Sequence, residues 1–264
     1  MRVQLLLSAF ALIVATPVFA DSTIPPSTAN HAAVDASAEA TAEFQTWLRK
    51  ARLAQSVSGR DLVELEIVAR YRYFDDGGRT ILDHTRIRDT SIWQQRDLGD
   101  GRLERFLGPE GAWLETPRGR MELEDDLRTE FEIYHCLRRL QLLSICAGLD
   151  GSVEPSGGDA DMIWLRFERG GSLFARLGLD RQTALVEQIA YPLALMPSED
   201  ADMEPAPGDM ALTLYRDHRN VDGWRLPHAA ESFRGELATS TYEVVSAKPL
   251  FAEGQAPEPE MGRR

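Results

Sequence analysis

The chain has 264 residues, 43% of them hydrophobic, and its 42 acidic residues outnumber 29 lysines and arginines to leave a net charge of −13. Nucleic acids and anionic membrane surfaces attract clustered positive charge, so this composition argues against both as partners. The length allows one large β domain or two small ones, and the even spacing of the predicted strands favours one.

Residues 1–20 have the pattern of a secretory signal peptide, in which Arg2 precedes an apolar run from Leu5 to Val14. We predict cleavage before Asp21 and a periplasmic location, and loss of Arg2 would change the net charge from −13 to −14. The apolar run is shorter than the roughly 20 residues of a spanning helix, so we expect no stable membrane insertion.

The segment after the signal peptide, residues 21–37, is small, polar and proline-bearing, which is typical of a disordered leader. Phe44, Trp47, Leu48 and Ala51 then fall at i, i+3, i+4 and i+7. This spacing predicts an amphipathic helix over about residues 39–56.

Short β-type runs begin at residue 62. In LVELEIV, residues 63, 65 and 67 are apolar and alternate with residues 64, 66 and 68, of which two are glutamates. A period of two with one apolar face predicts a half-exposed antiparallel sheet. Turn pairs at Asp76-Gly77, Asp100-Gly101 and Glu110-Gly111 divide the runs into hairpins.

One long helix is predicted at about residues 122–147, with acidic residues in its first turn and Gly148 as its cap. Cys136 and Cys146 both fall in it, and ten residues of helix would separate them by about 15 Å, too far for a disulfide. We therefore predict two buried free thiols. A disulfide would require the helix to break between them, and export makes that alternative possible.

Strand patterns resume after residue 160 and bring the expected total to ten or eleven strands. The predicted fold is mainly β (α+β), a large curved antiparallel sheet with helices, in a single domain over residues 38–251. The tail, residues 252–264, has the composition of a disordered segment.

The segment YRDHRNVDGWRLPH, residues 215–228, contains two histidines and two aspartates that suggest a metal or acid/base site. A two-residue turn at Asp222-Gly223 instead predicts a hairpin in which His218 and His228 point to opposite faces of the sheet. The same register places Asp217 opposite His228, which we interpret as a cross-strand ion pair rather than an oriented general base.

No other segment predicts catalysis, a metal site or a cofactor, so we expect a protein that is not an enzyme. The acidic run from Glu199 to Glu204 could bind calcium weakly, but a solvated loop is the commoner outcome for such a run.

Six aromatic side chains fall within predicted strands, where they either line an apolar cavity for a hydrophobic ligand or fill the core. These cavity candidates are Trp93, Trp113, Trp164, Phe174, Tyr191 and Trp224.

The order of elements and several motifs resemble the LolA-like superfamily of periplasmic lipoprotein carriers over most of residues 38–251. A "DG…W" strand before the helix is matched by Glu110-Gly111-Ala112-Trp113, and a "D..T" strand by Asp180 and Thr183. A hairpin motif of the family is matched by Tyr215, Asp217, Arg219, Asp222, Gly223, Leu226 and Pro227.

The resemblance implies an incomplete, U-shaped β-barrel lidded by helices, which binds lipid or an acylated lipoprotein without a cofactor. It also implies an arginine early in the sheet that holds the lid closed, for which Arg88 is the candidate and Arg86 lies close by. The alternative within the same superfamily is a sensor or interaction module that binds an envelope protein without transferring lipid.

Overall fold

The structure is a computed structural model that describes residues 30–57, 59–74, 77–99, 101–154, 160–195 and 209–252, with the backbone alone for residues 30–39. The predicted signal peptide, the first part of the leader, the acidic run at 199–204 and all of the tail after residue 252 lie outside these residues.

Thirteen strands form one antiparallel sheet, two more than the largest number expected from the sequence. The two that sequence patterns missed, β6 and β7, have four residues each, and they are the two edges of the sheet. The strands are β1 (Leu62–Tyr73), β2 (Thr80–Arg88), β3 (Ile92–Asp97), β4 (Arg102–Gly108), β5 (Gly111–Thr116), β6 (Gly119–Glu122), β7 (Asp150–Val153), β8 (Met162–Arg169), β9 (Ser172–Asp180), β10 (Val186–Pro192), β11 (Met210–Val221), β12 (Trp224–Arg234) and β13 (Leu237–Phe251).

The strand order is that of two meanders, β1 to β6 and β7 to β13, joined where β1 pairs with β13. The chain must therefore cross from one edge of the sheet to the other between β6 and β7. Helix α2 (Asp125–Gln141) makes this crossing, while α1 (Asn30–Gln55) precedes the first strand.

The sheet curls around α2, because this helix contacts β2, β4 and β9. Strands β4 and β9 are eight places apart in the sheet, a separation of about 38 Å if the sheet were flat. The edge strands β6 and β7 do not pair with each other within the described residues, so the sheet remains open. This open, curved sheet with two helices on its inner face confirms the predicted fold class and is the architecture that the resemblance implies.

Helix α1 begins at Asn30, inside the segment predicted to be a disordered leader. The physical reason is its composition, because five of residues 31–40 are alanine, the best helix former. Its predicted apolar stripe is confirmed, since Phe44, Leu48 and Ala51 are buried. Phe44 meets Phe167 edge to face with ring centroids 5.7 Å apart.

Strand β1 departs from strict alternation at its start. Val63 is 50% exposed and Glu64 only 6% exposed, the reverse of the predicted pattern. The pairing of β1 with β13 shifts between Leu62 and Glu64, and such a bulge turns the side chains over by one position. From Leu65 onward the predicted alternation is confirmed, with Leu65 and Ile67 in the core.

Helix α2 ends at Gln141, six residues before its predicted end, and the free-thiol prediction is wrong for the same reason. Leu143 adopts a positive φ of 59° and turns the chain, which brings the Cα atoms of Cys136 and Cys146 to 5.8 Å. The two cysteines form a disulfide. The helix breaks between them, as the alternative interpretation requires.

Candidate functional site

The 215–228 hairpin has the predicted register, with Val221 opposite Trp224 and His218 opposite Pro227. The predicted ion pair between Asp217 and His228 is wrong, because Asp217 has a φ of 57° and its Oδ1 accepts a hydrogen bond from Arg219 Nε at 3.1 Å. This bond to Arg219 lowers the pKa of the Asp217 carboxyl.

The two histidines of this hairpin serve separate structural contacts. His218 Nε2 lies 2.9 Å from the carbonyl oxygen of Val186, and burial lowers the pKa of this imidazole. His228 Nδ1 lies 3.1 Å from the carbonyl oxygen of Leu226. Within the described part of the chain, no group of three or more His, Cys, Asp or Glu side chains could hold a metal ion.

Three of the six candidate aromatic residues lie on the inner side of the sheet. Phe174 and Trp224 belong to the buried core, and Tyr191 packs against it. The other three, Trp93, Trp113 and Trp164, lie outside this core cluster and pack against residues of neighbouring strands. The six therefore do not line one common cavity.

The side chain of Arg88 forms an ion pair with Glu64 on the neighbouring strand and none with either helix among the described residues. Its carbonyl oxygen makes the contact with α2 instead, since it accepts a hydrogen bond from His135 Nε2 at 2.9 Å. Burial lowers the pKa of His135, so the neutral imidazole is favoured. Arg86 points elsewhere, toward Glu66 and the ring of Trp93.

A half-open cleft of about 430 Å³ lies where the C-terminal end of α1 meets the sheet and the turn that follows α2. Its volume is within the range of small-molecule sites. Four separate parts of the chain supply its walls: residues 49–63, residues 87–89, residues 139–144 and Trp224. Apolar side chains form much of the lining, namely Leu53, Leu62, Val63, Ile87, Leu142, Leu143 and Trp224.

Arginines are the commonest charged residues of the cleft, which sequence reasoning missed. Arg49, Arg52, Arg60, Arg88 and Arg139 line it, against the two carboxylates of Asp61 and Asp89. The sequence does contain a signal for part of this set. Arg49, Arg52 and Leu53 fall at i, i+3 and i+4, a second stripe along α1 beside the apolar one, and Ser56 follows at i+7 just after the helix.

Polar contacts hold the walls of the cleft together. Arg52 Nε donates to the carbonyl oxygen of Leu143 at 3.0 Å, and Gln55 Nε2 donates to that of Gln141 at 3.1 Å. Arg139 pairs with Asp89 and also donates to the hydroxyl of Ser144 at 3.0 Å. These bonds tie α1 to the turn after α2, so the cleft changes shape if either helix moves.

The sheet surface that faces Tyr134, near the middle of α2, carries a buried polar network. Asp83 is 2% exposed and accepts hydrogen bonds from Thr85, Gln94 and Arg96. Gln94 in turn donates to the hydroxyl of Tyr134 on α2 at 3.4 Å. This network joins β2 and β3 to the helix.

A half-buried cation lies nearby, where the guanidinium of Arg138 on α2 approaches the rings of Tyr134 and Tyr242 at 6.0 and 5.8 Å. Burial raises the pKa of Tyr71 well above its ordinary value, although Arg138 acts in the opposite sense. Leu137 and Leu140 of the same helix are buried. The space beneath α2 is thus lined in part by tyrosine and arginine.

The chain matches no model of a known protein family and no curated protein sequence. It is similar to the solved structure of a LolA superfamily protein from Nitrosomonas europaea, with 10% identity over 78% of this chain and 92% of that one and a TM-score of 0.49. It is also similar to a DUF1329 family protein from Desulfovibrio piger, with 10% identity over 80% and 94% of the two chains and a TM-score of 0.42.

A third similar structure is the complex of MucA and MucB from Pseudomonas aeruginosa, with 12% identity over 80% of this chain and 100% of that one and a TM-score of 0.24. No helix among the described residues is both long enough and apolar enough to cross a membrane.

Proposed function

We propose that this protein is an exported, periplasmic lipid- or lipoprotein-binding carrier that shields an acyl chain in the cleft between α1 and the sheet. Binding is non-covalent and needs no cofactor. The cargo enters at the exposed side of the cleft and is released there, while the disulfide-anchored turn after α2 forms the opposite wall.

The observation that supports this proposal is the apolar lining of a cleft that is open to water. Leu53 is 65% exposed and Val63 is 50% exposed, and both line the cleft together with the buried Trp224. Exposed apolar surface of this kind in a concave site is typical of a place where a hydrophobic ligand binds.

The energetics of acyl-chain burial are sufficient for reversible transport. Each buried methylene contributes about 0.8 kcal/mol, so ten methylenes contribute about 8 kcal/mol before the cost of association. That cost is several kcal/mol, which leaves a net affinity suited to a carrier that must also release its cargo.

Movement of α1 would enlarge the site. Hydrogen bonds from Arg52 and Gln55 hold the helix at its C-terminal end. Closer to its N-terminus, the buried side chains of Phe44 and Leu48 hold it through apolar contacts. Breaking the two bonds would open the cleft toward the core at Phe167. In this proposal α1 is the lid, and the lid-holding contact is made by Arg52 rather than by Arg88.

The second candidate function is an envelope sensor or interaction module that binds a protein and transfers no lipid. It is favoured by the tyrosine and arginine side chains beneath α2, which interrupt the aliphatic lining that a long acyl channel would need. The exposed side chains of Leu53 and Val57 could then contact a protein surface.

Lipid extraction and native mass spectrometry of the exported protein test the proposal. We expect a bound lipid in the unmodified protein and in Leu237→Glu, a control at a leucine that is 70% exposed and outside the cleft. We expect its loss in Leu53→Glu, where the new carboxylate enters the apolar lining. Absence of lipid from the unmodified protein, together with a stable protein partner, would instead support the sensor.

A further inference from the structure

The cleft is a concentration of positive charge in an acidic protein. Its lining contains five arginines and two aspartates, whereas the whole chain has a net charge of −13. A site with an excess of one sign of charge raises the local concentration of ligands with the opposite sign. The charge of the cleft therefore indicates an anionic ligand.

Two of these arginines have no carboxylate partner among the described residues. Arg139 pairs with Asp89 and Arg88 pairs with Glu64, so their charges are largely compensated. Arg49 makes no ion pair within the described residues, and Arg52 uses Nε for the neutral carbonyl of Leu143. They lie three residues apart on α1, and both line the cleft.

We infer that the cleft binds an anionic amphiphile, with its carboxylate or phosphate at Arg49 and Arg52 and its apolar chain against Leu53, Leu143 and Trp224. A guanidinium donates two parallel hydrogen bonds to either anion, which a neutral headgroup cannot match. This inference rests on the proposed function and narrows its cargo from lipids in general to those with an acidic headgroup.

The preference for the anion should be large enough to measure. A hydrogen bond to a charged group typically changes affinity by about tenfold or more. We therefore expect dodecanoate and dodecyl phosphate to bind at least about tenfold more tightly than dodecanol, which has the same chain and a neutral headgroup.

Isothermal titration of the purified, ligand-stripped full chain tests this with four compounds: dodecanoate, dodecyl phosphate, dodecanol and inorganic phosphate. The test variant is Arg49→Gln combined with Arg52→Gln. Its matched control is Arg70→Gln combined with Arg72→Gln, which removes the same charge from exposed arginines of β1 that do not line the cleft. We expect the preference for the anionic amphiphiles to be lost in the test variant and kept in the control.

The possible outcomes distinguish a failure of this inference from a failure of the proposed function on which it rests. Equal binding of dodecanoate and dodecanol to the unmodified protein overturns the inference and leaves the lipid carrier intact. If neither dodecanoate nor dodecanol binds, both the inference and the proposed lipid-carrier function are overturned. Inorganic phosphate that binds as tightly as dodecyl phosphate also overturns the inference, because the site would then recognise a free anion without its chain. The comparison of the four compounds in the unmodified protein tests the inference even if a variant does not fold.

Discussion

Replacing Gly151 by alanine should show that α1 is held in place by a tight ring contact. A Cβ atom at Gly151 would lie 2.1 Å from Phe44 Cζ and 2.5 Å from its two Cε atoms. The ring must therefore move by about 1 Å or more to reach an ordinary contact distance. Phe44 is 2% exposed and packed against Phe167, so its ring has little free space into which to move.

The expected cost follows from two opposing terms. Overpacking a well-filled core costs about 1–3 kcal/mol. The backbone at Gly151 is not left-handed, so alanine is sterically permitted and, without the clash, would stabilise by about 0.4–1 kcal/mol through the unfolded chain. We expect a net loss of about 1–2 kcal/mol in the free energy of unfolding.

The coupling between Gly151 and Phe44 is measured by urea denaturation of the unmodified protein, the two single variants and the double variant. Phe44→Ala alone should cost about 3–5 kcal/mol. In that background the space beside Gly151 is empty, so Gly151→Ala should become neutral or stabilising. An equal cost of Gly151→Ala in both backgrounds would refute the close packing of α1 on β7.

Three further perturbations have expected outcomes. Removing the disulfide with Cys136→Ala and Cys146→Ala should lower the free energy of unfolding by about 2–3 kcal/mol, the loop-closure value for ten residues, as measured in urea. Replacing Asp83 by alanine should cost about 3–5 kcal/mol in the same assay, because Arg96 loses its buried partner. Stability should also fall as pH is lowered below about 6.5, because the pKa values of His135 and His218 are depressed in the fold and the unfolded chain takes up protons first.

The Asp83 prediction and the pH prediction each have a control that could contradict them. Asp217→Asn breaks only an exposed pair with Arg219, since asparagine also tolerates the positive φ of this position, and should leave unfolding unchanged, whereas a loss as large as that of Asp83→Ala would refute the role of burial. The pH dependence between about 6.5 and 5 should shrink when His135 and His218 are both replaced by glutamine, and an unchanged slope would exclude them as its source.

The cleft explains why a local sequence pattern did not reveal the site. Its walls come from residues 49–63, 87–89 and 139–144 and from Trp224, so no single segment contains a recognisable motif. The 215–228 segment did look like a reactive cluster, yet its polar side chains contact their own hairpin and β10. Density of reactive residues along a sequence is a poor guide when the site is assembled from distant segments.

The sequence by itself determined the fold class, most strands and the register of the 215–228 hairpin. These depend on local quantities, namely the period of the apolar residues and the conformations that Asp222-Gly223 permits. The sequence did not determine most features at the edges of the sheet and at the ends of strands. Strands β6 and β7 are short and polar, and the bulge at the start of β1 reverses Val63 and Glu64.

Only the tertiary structure decided where α2 ends, and with it the state of the cysteines and the shape of the cleft. The sequence from 142 to 147 is compatible with a helix, but the chain must reach β7 at the far edge of the sheet, and Leu143 turns it there. That turn brings Cys146 to Cys136 and carries Leu142 and Leu143 to the wall opposite Arg52. The physical reason is that crossing the curved sheet is a long-range requirement, and it overrides the local preference for helix.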